Sequence, residues 1–224
     1  MPFGMKIFKM KPNYNIATTK AYEILIYNNL VLPIDPYKIK IENVKLKIIS
    51  MQEYSKLYNF SLDELTQEGI LQDGYNATEK RNGVTAALIL YNEDIESNER
   101  KRFTIAHEIG HVVLGHTEHC EKNEREADTF AAQLLLPHCI LEELVRCGKK
   151  VNESYLKQKF GLSNEAAHIS LKQVGNKILK NAKNEYEDII LNLYKNFIDI
   201  ETQNCKYRYI EEDEFQELER NNWW

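Results

Sequence analysis

The sequence has no apolar run approaching the roughly 20 residues of a membrane span. Its first residues, MPFGMKIFKMKPNYN, carry no long apolar segment of the secretory kind. Both absences predict a cytoplasmic protein with no membrane partner. Cysteine is scarce, limited to Cys120, Cys139, Cys147 and Cys205, and no two form a C-x-x-C pair. They read as reduced thiols, which excludes a disulfide frame and a cysteine-type zinc site. A basic excess is missing too: the net charge is −5, whereas a domain built to hold phosphates shows a basic surplus. Direct nucleic-acid binding is therefore not the expected role, although a local basic face stays compatible with that total. Internal repeats and low-complexity segments are also absent.

What is present is a globular composition, 43% hydrophobic and 28% charged over 224 residues. That is outside the disordered class and long enough for one good core, or for a domain with a small appendage. Ala21, Ile24 and Leu25 predict a first helix from Thr18 to about Asn28-Asn29, and Pro33 and Pro36 then force an extended connection. VKLKIIS (Val44 to Ser50) reads as a strand. SLDELTQEGIL opens with Ser61 and Glu64 at capping-box spacing and predicts a short helix. Two strands joined at Asn82-Gly83 follow, with Val84 to Tyr91 the more buried. Helices are expected from about Asn98 and from about Glu124 to Leu136, where Pro137 stops the second. This order predicts an α+β fold with a small sheet against the first of these two helices.

Beyond Pro137 the pattern is helical. Leu156, Phe160, Leu162, Ala166, Ile169 and Val174 form an apolar set broken by GLS, in a layout like a helix-turn-helix. Tyr186, Ile189, Ile190, Leu193, Tyr194, Phe197 and Ile198 predict a packing helix. The tail YIEEDEFQELERNNWW is acidic, and reads as a solvated helix or a docking segment.

Only six histidines occur, and three of them fall in RFTIAHEIGHVVLGH, residues 102–116. On a helix His107 and His111 lie four apart on one face, so their imidazoles converge, with Glu108 about 100° round. This is H-E-x-x-H, in which two neutral imidazoles bind a metal and the glutamate acts as base towards its water. Chance produces the pattern in a chain of this length at roughly the one per cent level or below. A catalytic zinc site takes three protein ligands. The metzincin continuation would need glycine and histidine where this chain has Leu114 and Thr117, so that class is excluded. His116 and His119 are the nearest imidazoles, but His116 would point about 140° away if the helix continued. EREADTFAAQLLLP offers more. Glu124 and Asp128 share one side of a helix, so Glu124 can ligate while Asp128 accepts from the outer ring nitrogen of a ligand histidine. Glu126 competes as ligand from about 200° away. A solvated acidic helix start would also explain Glu124 and Glu126, through the helix dipole.

These two motifs, with AALILYNEDIESNERKR before them and KFGLSNEAAHISLKQVG after, resemble the ImmA/IrrE family of metallopeptidases over roughly Ala21 to Gly175. The resemblance implies a zincin-like, gluzincin-type domain at 1–140 in which His107, His111 and Glu124 hold Zn²⁺, or Mn²⁺, and Glu108 does the acid-base work, with Asp128 behind a ligand. The chain's own pattern adds a helix-turn-helix-like segment at 141–180 and a C-terminal helix and tail at 181–224, an extension that departs from the family, so the partner and mode of control do not carry over through it. The resemblance also implies an endopeptidase whose protein substrate is a helix-turn-helix repressor, often encoded on a mobile element and cut in a stress response. The oxyanion donor is not identified; His168 is one candidate. Two other readings stand beside this one. In the first, a transcription regulator or binding module has a structural metal, with Lys149, Lys150, Lys157, Lys159 and Lys172 near the helix pair. SNEAAHIS, however, offers no arginine to read guanine. The second is an inactive peptidase fold, against which an intact Glu108 argues.

Overall fold

The computed structural model describes residues 11–59, 61, 73–178 and 184–203, and of 174–178 only the backbone. No helix among these is long and apolar enough to cross a membrane. The chain divides into two compact units, Met1–Ala21 with Pro36–Ala131, and Tyr22–Asp35 with Ala132–Trp224.

Helix α1 (Tyr14–Asn28) starts four residues before the sequence expectation because Asn13 caps it, its Oδ1 accepting from Ile16 N at 3.1 Å. It ends where anticipated, at Asn28, with Asn29 left-handed at φ 47°.

The first unit is organised on a three-stranded sheet of order β1-β3-β2. Strand β1 (Val44–Ser50) has the anticipated bounds and runs parallel to β3 (Val84–Tyr91); β2 (Gly74–Arg81) pairs antiparallel with β3. The hairpin turns on Asn82 and Gly83, with φ of 50° and 78°, the double positive that a type I′ turn requires. Ala87, Ile89 and Leu90 of the central strand are buried. Helix α2 (Met51–Tyr58) had not been anticipated, yet its signal is local: Ser50 Oγ accepts from Glu53 N at 3.1 Å, an S-x-x-E cap directly after the strand. The helix expected from Ser61 falls mostly on residues outside the described ones.

Helix α3 (Asn98–Leu114) opens at Ser97, whose Oγ accepts from Arg100 N at 3.2 Å, and it packs on β2 and β3. The face it buries is Thr104, Ile105, Ala106, Glu108, Ile109 and His111, so two groups of the H-E-x-x-H motif point inward. Helix α4 (Glu121–Leu135) begins three residues earlier than expected.

In the second unit, α5 (His138–Arg146) follows Pro137. Helices α6 (Glu153–Phe160) and α7 (Asn164–Ile178) reproduce the helix, break and helix read from the sequence, with Gly161 left-handed at φ 62°. The buried face of α7 differs from that reading. Ser163 Oγ accepts from Ala166 N at 3.1 Å and caps the helix, whose buried side carries Ala167 and Ser170, while Ile169 is 45% exposed. Helix α8 (Glu187–Leu193) and a further helix, α9 (195–203), bury Ile190, Tyr194, Ile198 and Thr202 at four-residue spacing.

A single carboxylate ties α9 down. Glu201 accepts from Lys149 Nζ at 3.0 Å, Lys159 Nζ at 2.6 Å and Tyr155 Oη at 3.0 Å. Burial pushes its carboxyl up, but these three donors prevail and hold it below the usual range. A lowered folded pKa stabilises fully above the ordinary value of about 4.3, and the contribution is lost as pH falls through the folded value. Replacing Glu201 with Gln should therefore cost about 1–3 kcal/mol at pH 7 in chemical denaturation. The gap from wild type should narrow below about pH 4.

Candidate metal centre

One helical turn brings the two imidazoles of α3 together, with His107 Nε2 and His111 Nε2 3.0 Å apart. Helix α4 supplies Glu124, whose Oε2 lies 3.2 Å from the first and 3.6 Å from the second. A tetrahedral ion with bonds of about 2.0–2.2 Å holds its donors about 3.3–3.6 Å apart, so the edges of 3.0 and 3.2 Å would open by a few tenths of an ångström to take such an ion, while the third already matches. Among the described residues these three form the group of potential donors close enough to share an ion.

The triangle depends on close packing. A Cβ on Gly110 would stand 3.0 Å from Phe130 Cδ1 and 3.3 Å from Ala127 Cα, so the residue between the histidines has to be small for α4 to reach them. Phe130 and Ala127 are fully buried.

The outer nitrogens are also engaged. His107 Nδ1 is 2.9 Å from Asp128 Oδ1. His111 Nδ1 is 3.0 Å from His116 Nδ1. Here the sequence geometry needs correcting, because α3 does not continue through His116. It stops at Leu114, and Gly115 at φ 69° closes a Schellman turn, its N–H bonding Val112 O and the N–H of His116 bonding His111 O. That turn folds His116 back over His111. Glu126 is corrected as well: it is no solvated helix-start residue but is buried, with its Oε2 3.1 Å from His116 Nε2. His119 is exposed and sits 3.4 Å from the other oxygen of Glu124.

Glu108 is 7% exposed. Asn76, on β2, donates to its Oε2 at 2.6 Å, a contact that sequence reasoning missed because nothing local links the two residues. Gly74 permits this approach, since a Cβ there would meet Thr104 Cγ2 at 2.6 Å and Glu108 Oε1 at 2.9 Å. Burial raises the carboxyl of Glu108 above its ordinary value, despite the opposing Asn76 bond and the His107 charge. His111 is lowered to about 4 by burial and then by its neighbour His107. Burial also lowers His107, but the Asp128 bond and the surrounding carboxylates raise it on balance. His168 belongs to the second unit, where its Nδ1 is 2.9 Å from Glu153.

A small mixed sheet, a helix presenting two imidazoles and a buried carboxylate, and a second helix bringing another carboxylate together offer donors that could hold a metal ion. Residues 62–172 match the family described as the IrrE N-terminal-like domain, a family of peptidases. Through that segment the chain belongs to the ImmA/IrrE family of metallopeptidases. The match begins later than the resemblance read from the sequence and contains the whole site. No curated protein matches the chain.

If the Gly110 contact sets the distance between the two helices, Gly110→Val should overpack it. The expected cost is about 1–3 kcal/mol of stability by denaturation. Zn²⁺ uptake measured by dialysis should fall with it, as Glu124 is displaced.

Proposed function

We propose that the chain is a metal-dependent endopeptidase in which His107, His111 and Glu124 hold Zn²⁺, or Mn²⁺, and Glu108 transfers the proton. The observation that carries this is the donor triangle, with a buried carboxylate on the same helix turn. Two imidazoles and one carboxylate leave a tetrahedral ion one open position, as a catalytic site needs and a structural one does not. When bound, the ion acidifies water and polarises the scissile carbonyl.

The remaining work falls to side chains. Glu108, its carboxyl raised by burial, takes a proton from the attacking water and passes it to the leaving amine. Asn76 fixes which oxygen of Glu108 is held and which is free to receive that proton. Asp128 orients His107. Strand β2 has no second strand partner among the described residues, so an extended peptide can add along it and lie beside Asn76 and Glu108. The reading of the substrate as a helix-turn-helix repressor, cut in the cytoplasm during a stress response, rests on the family resemblance.

Three outcomes are expected. Glu108→Gln should keep its metal and lose about 10²–10⁴-fold or more in cleavage rate, whereas Glu124→Gln should lose the metal itself, read by elemental mass spectrometry. In cells expressing wild type, new protein N-termini should appear that are absent with Glu108→Gln. A Glu108→Gln variant that cleaves as wild type does would overturn the mechanism.

A further inference from the structure

Asp128 serves the outer nitrogen of His107, but the outer nitrogen of His111 leads into a longer chain of contacts. His111 Nδ1 meets His116 Nδ1 at 3.0 Å, and His116 Nε2 meets Glu126 Oε2 at 3.1 Å. Glu126 Oε1 accepts from the backbone N–H of Asn13 at 2.6 Å, with Lys122 Nζ 3.7 Å away. One arrangement of protons uses every one of these atoms. If His111 Nε2 gives its lone pair to a metal, its hydrogen is on Nδ1 and is donated. His116 Nδ1 must then be the acceptor, which puts the hydrogen of His116 on Nε2, facing a carboxylate that can only accept.

We propose that His116 and Glu126 are positioning residues that fix the tautomer and ring plane of His111, and that Asn13 anchors this chain to the segment leading into α1. The proposal rests on the reading of His107, His111 and Glu124 as a metal centre. Three observations support it. The Schellman turn at Gly115 folds the chain back at His116, and the His116 ring lies between His111 and Glu126. The side chains of His116 and Glu126 are each 8% exposed, so water competes little for their bonds. Finally, α4 serves both sides of one imidazole: Glu124 is at the Nε2 edge, and Glu126, about 200° further round the helix, reaches the Nδ1 edge through His116.

The test is Zn²⁺ affinity by chelator competition for wild type, His116→Leu and His116→Asn, together with long-range ¹H–¹⁵N spectra of the imidazoles in Zn²⁺-loaded wild type. Loss of an outer partner weakens metal binding about 10–100-fold, and this is expected for His116→Leu. His116→Asn keeps an oxygen acceptor near His111 and should fall between the other two. The spectra should show hydrogen on His111 Nδ1 and on His116 Nε2, a readout that needs no variant to fold. Equal affinity of wild type and His116→Leu, equal losses in both variants, or hydrogen on His116 Nδ1 would each overturn the relay while the metal centre stands. Failure of wild type to take up Zn²⁺ would overturn the centre itself, and the relay with it.

Discussion

The close approach of α3 and α4 at Gly110 is the constraint on which the site depends. Two donors come from one helix and the third from the other, so their separation is set by what lies between the helices. With no side chain at Gly110, Phe130 and Ala127 fill that space, and the three donor atoms end 3.0, 3.2 and 3.6 Å apart. A chain that placed a larger residue there could keep all three donor residues and still lose the triangle. The hydrophobic contact and the polar cluster are therefore one piece of design, with the apolar side holding the polar side at bonding distance.

The electrostatics follow from that geometry. Burial and the neighbouring ring keep His111 neutral, with a pKa lowered to about 4, which is the form a metal requires. Burial pulls His107 down, but the Asp128 bond and the three carboxylates around it raise it on balance. Glu108 is raised for a different reason, the loss of water around it, and Asn76 limits how far. Three ionisable groups within five residues are thus shifted for different reasons because their surroundings differ.

Much of this was legible in the sequence, but only where the signal is local. The four-residue spacing of His107 and His111, the Asn82-Gly83 turn and the apolar run of β3 depend on neighbours a few positions away. Helix α2 was missed although Ser50 and Glu53 announce it, because the strand before it drew the reading of Ser50. His116 was misplaced because extrapolating a helix ignores its cap, and Gly115 was the signal that α3 ends. Ile169 is exposed because α7 packs on α5 and α6 with Ala167 and Ser170 turned inward, a choice made by tertiary packing that spacing alone does not encode. Asn76 with Glu108 and Asn13 with Glu126 are contacts across 32 and 113 residues, which no local pattern encodes.

A metal at this site would be held by nitrogen and oxygen alone, in a chain that also contains four cysteines. X-ray absorption at the zinc edge of the Zn²⁺-loaded protein tests this directly. The expected spectrum shows about four light scatterers near about 2.0–2.2 Å, with the multiple-scattering pattern of two imidazoles. A sulfur shell at about 2.3 Å, or the signature of a single imidazole, would place the metal elsewhere and contradict the centre described for His107, His111 and Glu124.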